Sequence, residues 1–102
     1  MGQWHDVLKV KDFKLGHGVQ CSIAGKTLAI FNIEGKFHAI DDTCTHAGAS
    51  LAEGSVAGSV VTCPWHGATF DIFTGAALTD PAYEGVKTYN VKVQGDDLLV
   101  EI

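Results

Sequence analysis

The sequence predicts an all-β fold. Apolar and polar residues alternate mostly with a period of two, and glycine marks the turns between the alternating stretches. No repeat, low-complexity tract or linker interrupts the 102 residues, so one domain spanning residues 1–102 is expected.

The elements follow in order along the chain. Residues 4–10 alternate well enough for a first strand. Residues 17–23 and 27–33 are expected to pair as a hairpin closed by Ala24, Gly25 and Lys26. Residues 36–40 come after the tight turn Glu34-Gly35 and supply a third pairing partner. Near the other end, residues 88–93 and 98–102 flank Gln94-Gly95-Asp96-Asp97, a second hairpin whose turn residues tolerate positive φ. The middle, about residues 42–83, reads differently. It is rich in glycine and alanine, and Val60-Val61 is its one lone apolar run. Such a stretch packs poorly by itself, so the ends are expected to form a β scaffold and the middle a cofactor-binding insert.

Composition excludes several function classes. The net charge of −5 argues against nucleic acid and anionic lipid as partners. Residues 1–62 carry five lysines and six acids, residues 63–102 two lysines and six acids. The acidic second part is a solubilising surface or a docking face for a basic redox partner. No apolar run approaches the ~20 residues of a membrane span. Met1-Gly2-Gln3-Trp4-His5-Asp6 lacks the features of a secretory signal, so a cytoplasmic protein is expected. Three cysteines cannot all pair, and a reducing compartment makes metal or cluster ligation the natural use of a Cys beside a His.

Two such pairs lie in the insert: Cys44-Thr45-His46 and, sixteen residues later, Cys63-Pro64-Trp65-His66. Each offers one soft thiolate and one borderline imidazole on loop-like, glycine-bearing backbone. Two matched pairs suit a bimetallic cluster with unlike ends. A tetrahedral zinc site could also be closed by two Cys and two His. The usual zinc spacing groups Cys with Cys and His with His, which this chain does not do.

The two pairs, Cys44-x-His46 and Cys63-Pro64-Trp65-His66-Gly67, resemble the motif of the Rieske [2Fe–2S] family, and the likeness extends to Gly54, Phe70-Asp71 and Thr74-Gly75. The resemblance implies the Rieske iron–sulfur fold, an antiparallel β-sandwich with a smaller cluster-binding β insert. It implies one [2Fe–2S] cluster, with Cys44 and Cys63 on one iron and His46 and His66 on the other. Pro81 falls where the family places a third loop over the cluster. With neutral imidazoles on one iron, the incoming electron meets less negative charge than in a four-thiolate site, and the potential rises above that of plant-type ferredoxins. The family's surface-facing histidines make the His46/His66 edge the expected docking edge.

Departures from the family pattern narrow the choice. Quinol-oxidising members carry an extra disulfide, a serine and a tyrosine, and here those positions are Ala49, Trp65, Ala68 and Phe70. Each lost donor lowers the potential, to an expected value of roughly −150 mV. The resemblance therefore implies a one-electron carrier and not an enzyme. It would pass electrons from an NAD(P)H-dependent flavin reductase to a terminal ring-hydroxylating oxygenase of aromatic hydrocarbon catabolism. The alternative is the small Rieske subunit of a nitrite reductase-type complex or of another electron-transfer complex.

Other residues invite over-reading. His5, His17 and His38 are expected at the surface or in packing, and Cys21 as a small buried hydrophobe. Asp41 and Asp42 read as turn formers, and Phe31, Phe37, Phe70, Phe73 and Tyr89 as core. Trp65 is an apolar docking contact or a packing residue.

Overall fold

A single strand explains the architecture. In the computed structural model, which describes residues 2–13, 18–43, 50–64, 67–78 and 85–102, β3 (Lys26–Ile33) has four consecutive buried residues, Leu28 to Phe31. Successive side chains on a strand point to opposite faces. Leu28 and Ile30 therefore enter one core while Ala29 and Phe31 enter another. The unbroken apolar run is the mark of a strand covered on both faces.

On either side of β3 lie β2 (Gly18–Ile23) and β4 (Lys36–Asp41), both antiparallel to it. The turns at Ala24-Gly25 and Glu34-Gly35 have positive φ at both residues, the geometry that matches strand twist in two-residue hairpins. Asn32 Oδ1 accepts the Gly35 N–H at 2.9 Å and steadies the second turn. The first turn holds two residues, not three, because Lys26 already pairs with Ile23. His17 lies outside the described residues.

A second sheet covers the Leu28/Ile30 face. It runs in the order β1 (Trp4–Lys9), β10 (Asp97–Glu101), β9 (Val91–Gln94), all antiparallel. Leu98 and Val100 of β10 are fully buried against Leu28, Ile30 and Ala39, forming the β-sandwich. The first strand stops one residue before the expected end, and Val10–Asp12 turn as a 3₁₀ segment.

The expected strand over residues 88–93 divides in two. β8 (Thr88–Tyr89) pairs with β4 in one sheet, and β9 pairs with β10 in the other. Asn90 is the crossing point: its carbonyl accepts the Glu101 N–H and its side-chain amide donates to Glu101 Oε1, both at 2.9 Å. Alternation continues through the switch, so the sequence pattern does not reveal it.

The insert is a small antiparallel sheet of β5 (Ser55–Ala57), β6 (Val60–Thr62) and β7 (Thr69–Asp71). Its apolar residues Val61, Phe70 and Ile72 close on Ala29, Phe31 and Ile40, the far face of the sandwich sheet. No described helix is long and apolar enough to cross a membrane.

Candidate metal centre

Cys63 is 2 % exposed in the second core, among Leu51, Ala52, Val61, Ala68 and Phe70. Cys44, His46 and His66, with Trp65 and Pro81, lie outside the described residues. The structure does describe the segments that flank these residues, and Leu51, Ala52, Cys63 and Ala68 of those segments share one buried core.

The first stem is the antiparallel bridge between Thr43 and Ser50, which encloses residues 44–49. The second is the end of the β6–β7 hairpin, where Thr62 faces Thr69 and the Cys63 N–H donates to Ala68 O at 2.7 Å. After the first loop the chain makes a 3₁₀ turn, Leu51–Glu53, and Gly54 brings it against β6. A Cβ at Gly54 would lie 2.2 Å from Thr62 O, so only glycine permits this approach between the two stems.

A third stem stands beside the second. The Leu78 N–H donates to Thr69 O at 2.9 Å, which brings residue 78 to the same end, and the Val86 N–H donates to Gly75 O at 2.7 Å beside the turn that follows β7. Gly75 has φ +79°, and a Cβ there would sit 2.0 Å from Val86 O. The preceding turn is shaped by Asp71, whose Oδ1 accepts the N–H of Phe73 at 2.8 Å and of Thr74 at 3.3 Å. Gly54 and Gly75 thus act through close backbone approach, and Asp71 and Thr74 through side-chain oxygens that accept backbone N–H groups of the turn.

The donor set fits a [2Fe–2S] group with two thiolates and two imidazoles. The Cys63 surroundings are dry and apolar, which suits a sulfur ligand shielded from water. Cys21 packs in the sandwich core, away from Cys63, and burial, with Asp42 nearby, pushes its thiol pKa up. Ala68 and Phe70 are both fully buried in the Cys63 core, so neither position offers a hydroxyl to the site.

The profile of the Rieske [2Fe–2S] domain matches residues 3–90. The chain belongs to the Rieske [2Fe–2S] family. Over 100 residues it is 33% identical to the ferredoxin component of the naphthalene 1,2-dioxygenase system of Pseudomonas aeruginosa, covering 98% of this chain and 96% of that protein. The solved Sphingomonas yanoikuyae B1 ferredoxin superposes with a TM-score of 0.91 at 32% identity, covering 98% and 99% of the two chains. A chain in the complex of reduced oxygenase and oxidized ferredoxin of carbazole 1,9a-dioxygenase superposes with a TM-score of 0.89 at 32% identity, covering 96% and 92%. This Rieske protein is accordingly an electron-transfer component with a [2Fe–2S] cofactor.

Three residues, Asp41, Asp42 and Phe73, play parts that the sequence reading missed. Asp42 is no simple turn former: it is 2 % exposed and its carboxylate binds three neighbours at the root of the first loop. Phe73 is not core; it is 51 % exposed, its ring lying 4.4 Å from that of His38. His38 is a packing residue as expected, and burial together with Lys36 holds its pKa below the usual histidine value. Asp41 ties β4 to β8 by accepting the Tyr89 hydroxyl at 2.7 Å.

Proposed function

We propose that this chain, working as one Rieske domain over residues 1–102 with its insert at about 42–83, is the ferredoxin of a ring-hydroxylating oxygenase system in the cytoplasm. It carries one electron at a time from an NAD(P)H-dependent flavin reductase to a terminal oxygenase. Cys44, His46, Cys63 and His66 hold the cluster. The observation that carries this reading is that the segments flanking the two Cys/His pairs share one buried core, Leu51 and Ala52 with Cys63 and Ala68, and that Gly54 meets Thr62 O.

The cluster supplies reversible one-electron transfer when bound. The protein's own residues hold and shield it. Cys63 offers its sulfur from an apolar core that excludes water, and Cys44, His46 and His66 complete the set. Pro64, beside Cys63, and Leu78, 48 % exposed beside Thr69, give the same end of the molecule an apolar rim against which an oxygenase or reductase packs. No proton needs to move at a side chain, so no general acid or base is required.

His66→Ala is expected to abolish the visible and EPR signals of the cluster; a variant keeping the full spectrum overturns the ligand set. Electron delivery is tested by mixing the protein with a purified flavin reductase and a ring-hydroxylating oxygenase. Product formation should depend on this chain and disappear with His66→Ala. A midpoint near the low end of the Rieske range, roughly −150 mV, is expected because positions 68 and 70 lack hydroxyls.

A further inference from the structure

Among the described residues, Asp42 is the one buried charged side chain. Its Oδ1 accepts the Ser50 hydroxyl at 2.8 Å and the Ala52 N–H at 3.0 Å, while Oδ2 accepts the Gln20 amide at 2.6 Å. Its own backbone is equally committed: the N–H donates to Thr27 O at 3.1 Å and the carbonyl accepts the Leu51 N–H at 2.7 Å. Residue 42 is therefore where the first loop leaves the sandwich, bonded to β2, β3 and the 3₁₀ turn at once.

The donors on this carboxylate are all neutral, and no ion pair among the described residues involves it. A buried carboxylate needs donors to replace its lost water, and here three neutral donors serve without a cation. An amide could keep the Ser50 and Ala52 bonds, and the third once Gln20 turns its own oxygen toward the new N–H₂. The acid form thus brings something the fold alone does not require, and its position supplies a reason. Asp42 precedes Cys44 by two residues, within about 7 Å along the backbone.

We propose that Asp42 is a positioning residue for the cluster: its carboxylate ties the chain on both sides of the first ligand loop to β2 and the following turn, and its fixed charge, two residues from Cys44, lowers the reduction potential. The inference rests on the assignment of Cys44, His46, Cys63 and His66 as ligands. Failure of that assignment is seen separately, as a His66→Ala protein that keeps its colour.

Asp42→Asn separates charge from tie. Its amide oxygen can accept from Ser50 and Ala52, and Gln20 can turn to offer its own oxygen to the new N–H₂. The purified holoprotein is expected to hold a full cluster with an unchanged EPR line shape. Its midpoint should rise by about tenfold in the reduced-to-oxidised ratio at fixed poise, which is about 59 mV for one electron, as expected for a unit charge ~10 Å away at an effective dielectric of about 20. A fully loaded Asp42→Asn protein with the native midpoint overturns the electrostatic part. Ser50→Ala keeps the charge and removes one bond. Cluster loss to a chelator, followed by visible absorbance, should speed up about threefold while the midpoint stays put. Asp42→Ala removes all three side-chain bonds and should lose its cluster faster still, with a broadened EPR signal. Native loss rates in both Ser50→Ala and Asp42→Ala overturn the tie.

Discussion

The two faces of β3 look into cores built by different means. On the Leu28/Ile30 face, strands of four to eight residues, with the two-residue β8 at one edge, pair in ladders, and aliphatic side chains from two sheets interlock. On the Ala29/Phe31 face, the insert's strands are only three residues each. There the structure relies on backbone contacts that admit no side chain, at Gly54 and Gly75, and on carboxylates that organise loops, at Asp42 and Asp71. The first core is forgiving, because apolar volume can be redistributed among many contacts. The second is exacting, since a carbonyl oxygen about 2 Å from a new methyl group has nowhere to go. The scaffold is held by apolar area and the metal centre by fit.

A matched pair of substitutions tests that contrast most directly. Gly75 and Gly25 both have φ +79°, yet a Cβ at Gly75 meets Val86 O at 2.0 Å while one at Gly25 meets nothing within 4 Å. Gly75→Ala should destabilise the protein by about 3 kcal/mol or more and prevent cluster loading. Gly25→Ala should cost about 1 kcal/mol of backbone strain and load normally. Urea unfolding and cluster absorbance read both, and equal effects would show that fit matters no more in the insert than in an open turn.

Core truncations sharpen the same comparison. Phe70→Ala and Leu98→Ala remove fully buried side chains from the insert core and the sandwich core. They should cost about 3–5 and about 2–5 kcal/mol respectively. Only Phe70→Ala, beside Cys63, is expected to speed cluster loss at temperatures where the protein stays folded. Stripping the cluster with a chelator under reducing conditions should act like a mild version of that change. Hydrogen exchange would then quicken in β5 to β7 while the β2–β3–β4 ladder keeps its protection.

A smaller effect distinguishes the polar fastening of the scaffold. Tyr89 is held protonated by burial and by its hydrogen bond to Asp41, which together push its pKa well above the ordinary 10.0. Because the folded form keeps its proton longer than the unfolded form, this stabilisation is full below pH 10 and is lost as pH rises further. Tyr89→Phe should cost about 1 kcal/mol at neutral pH and flatten the fall in stability above pH 10. Smallest of all, Lys92→Ala removes an ammonium 4.3 Å from the Trp4 ring on the exposed sheet face, an effect of about 0.5–1 kcal/mol with no change at the cluster.

Much of the fold was legible because alternation is a local signal. The hairpins β2–β3 and β9–β10 and the turn Glu34-Gly35 fall within a residue or two of the expected places, since turn chemistry and period-two patterning act over short stretches. The switch at Asn90 was not legible, because a strand that changes sheets keeps its alternation. Phe73 was misplaced for a related reason: an aromatic next to a turn gives no sign of which side the turn exposes. Asp42 was hidden because its donors, Gln20, Ser50 and Ala52, stand 22, 8 and 10 residues away.

The β class and the family could be read from residue order alone, because alternation and the doubled Cys/His pairs with their neighbours are local patterns that chemistry makes specific. It took the folded chain to show that Leu51 and Cys63 share one buried core, that glycines at 54 and 75 are demanded by carbonyl oxygens, and that the Asp42 carboxylate is buried. Those facts depend on which backbone meets which across the insert. Such meetings are fixed by packing between distant segments, and local patterning does not encode them.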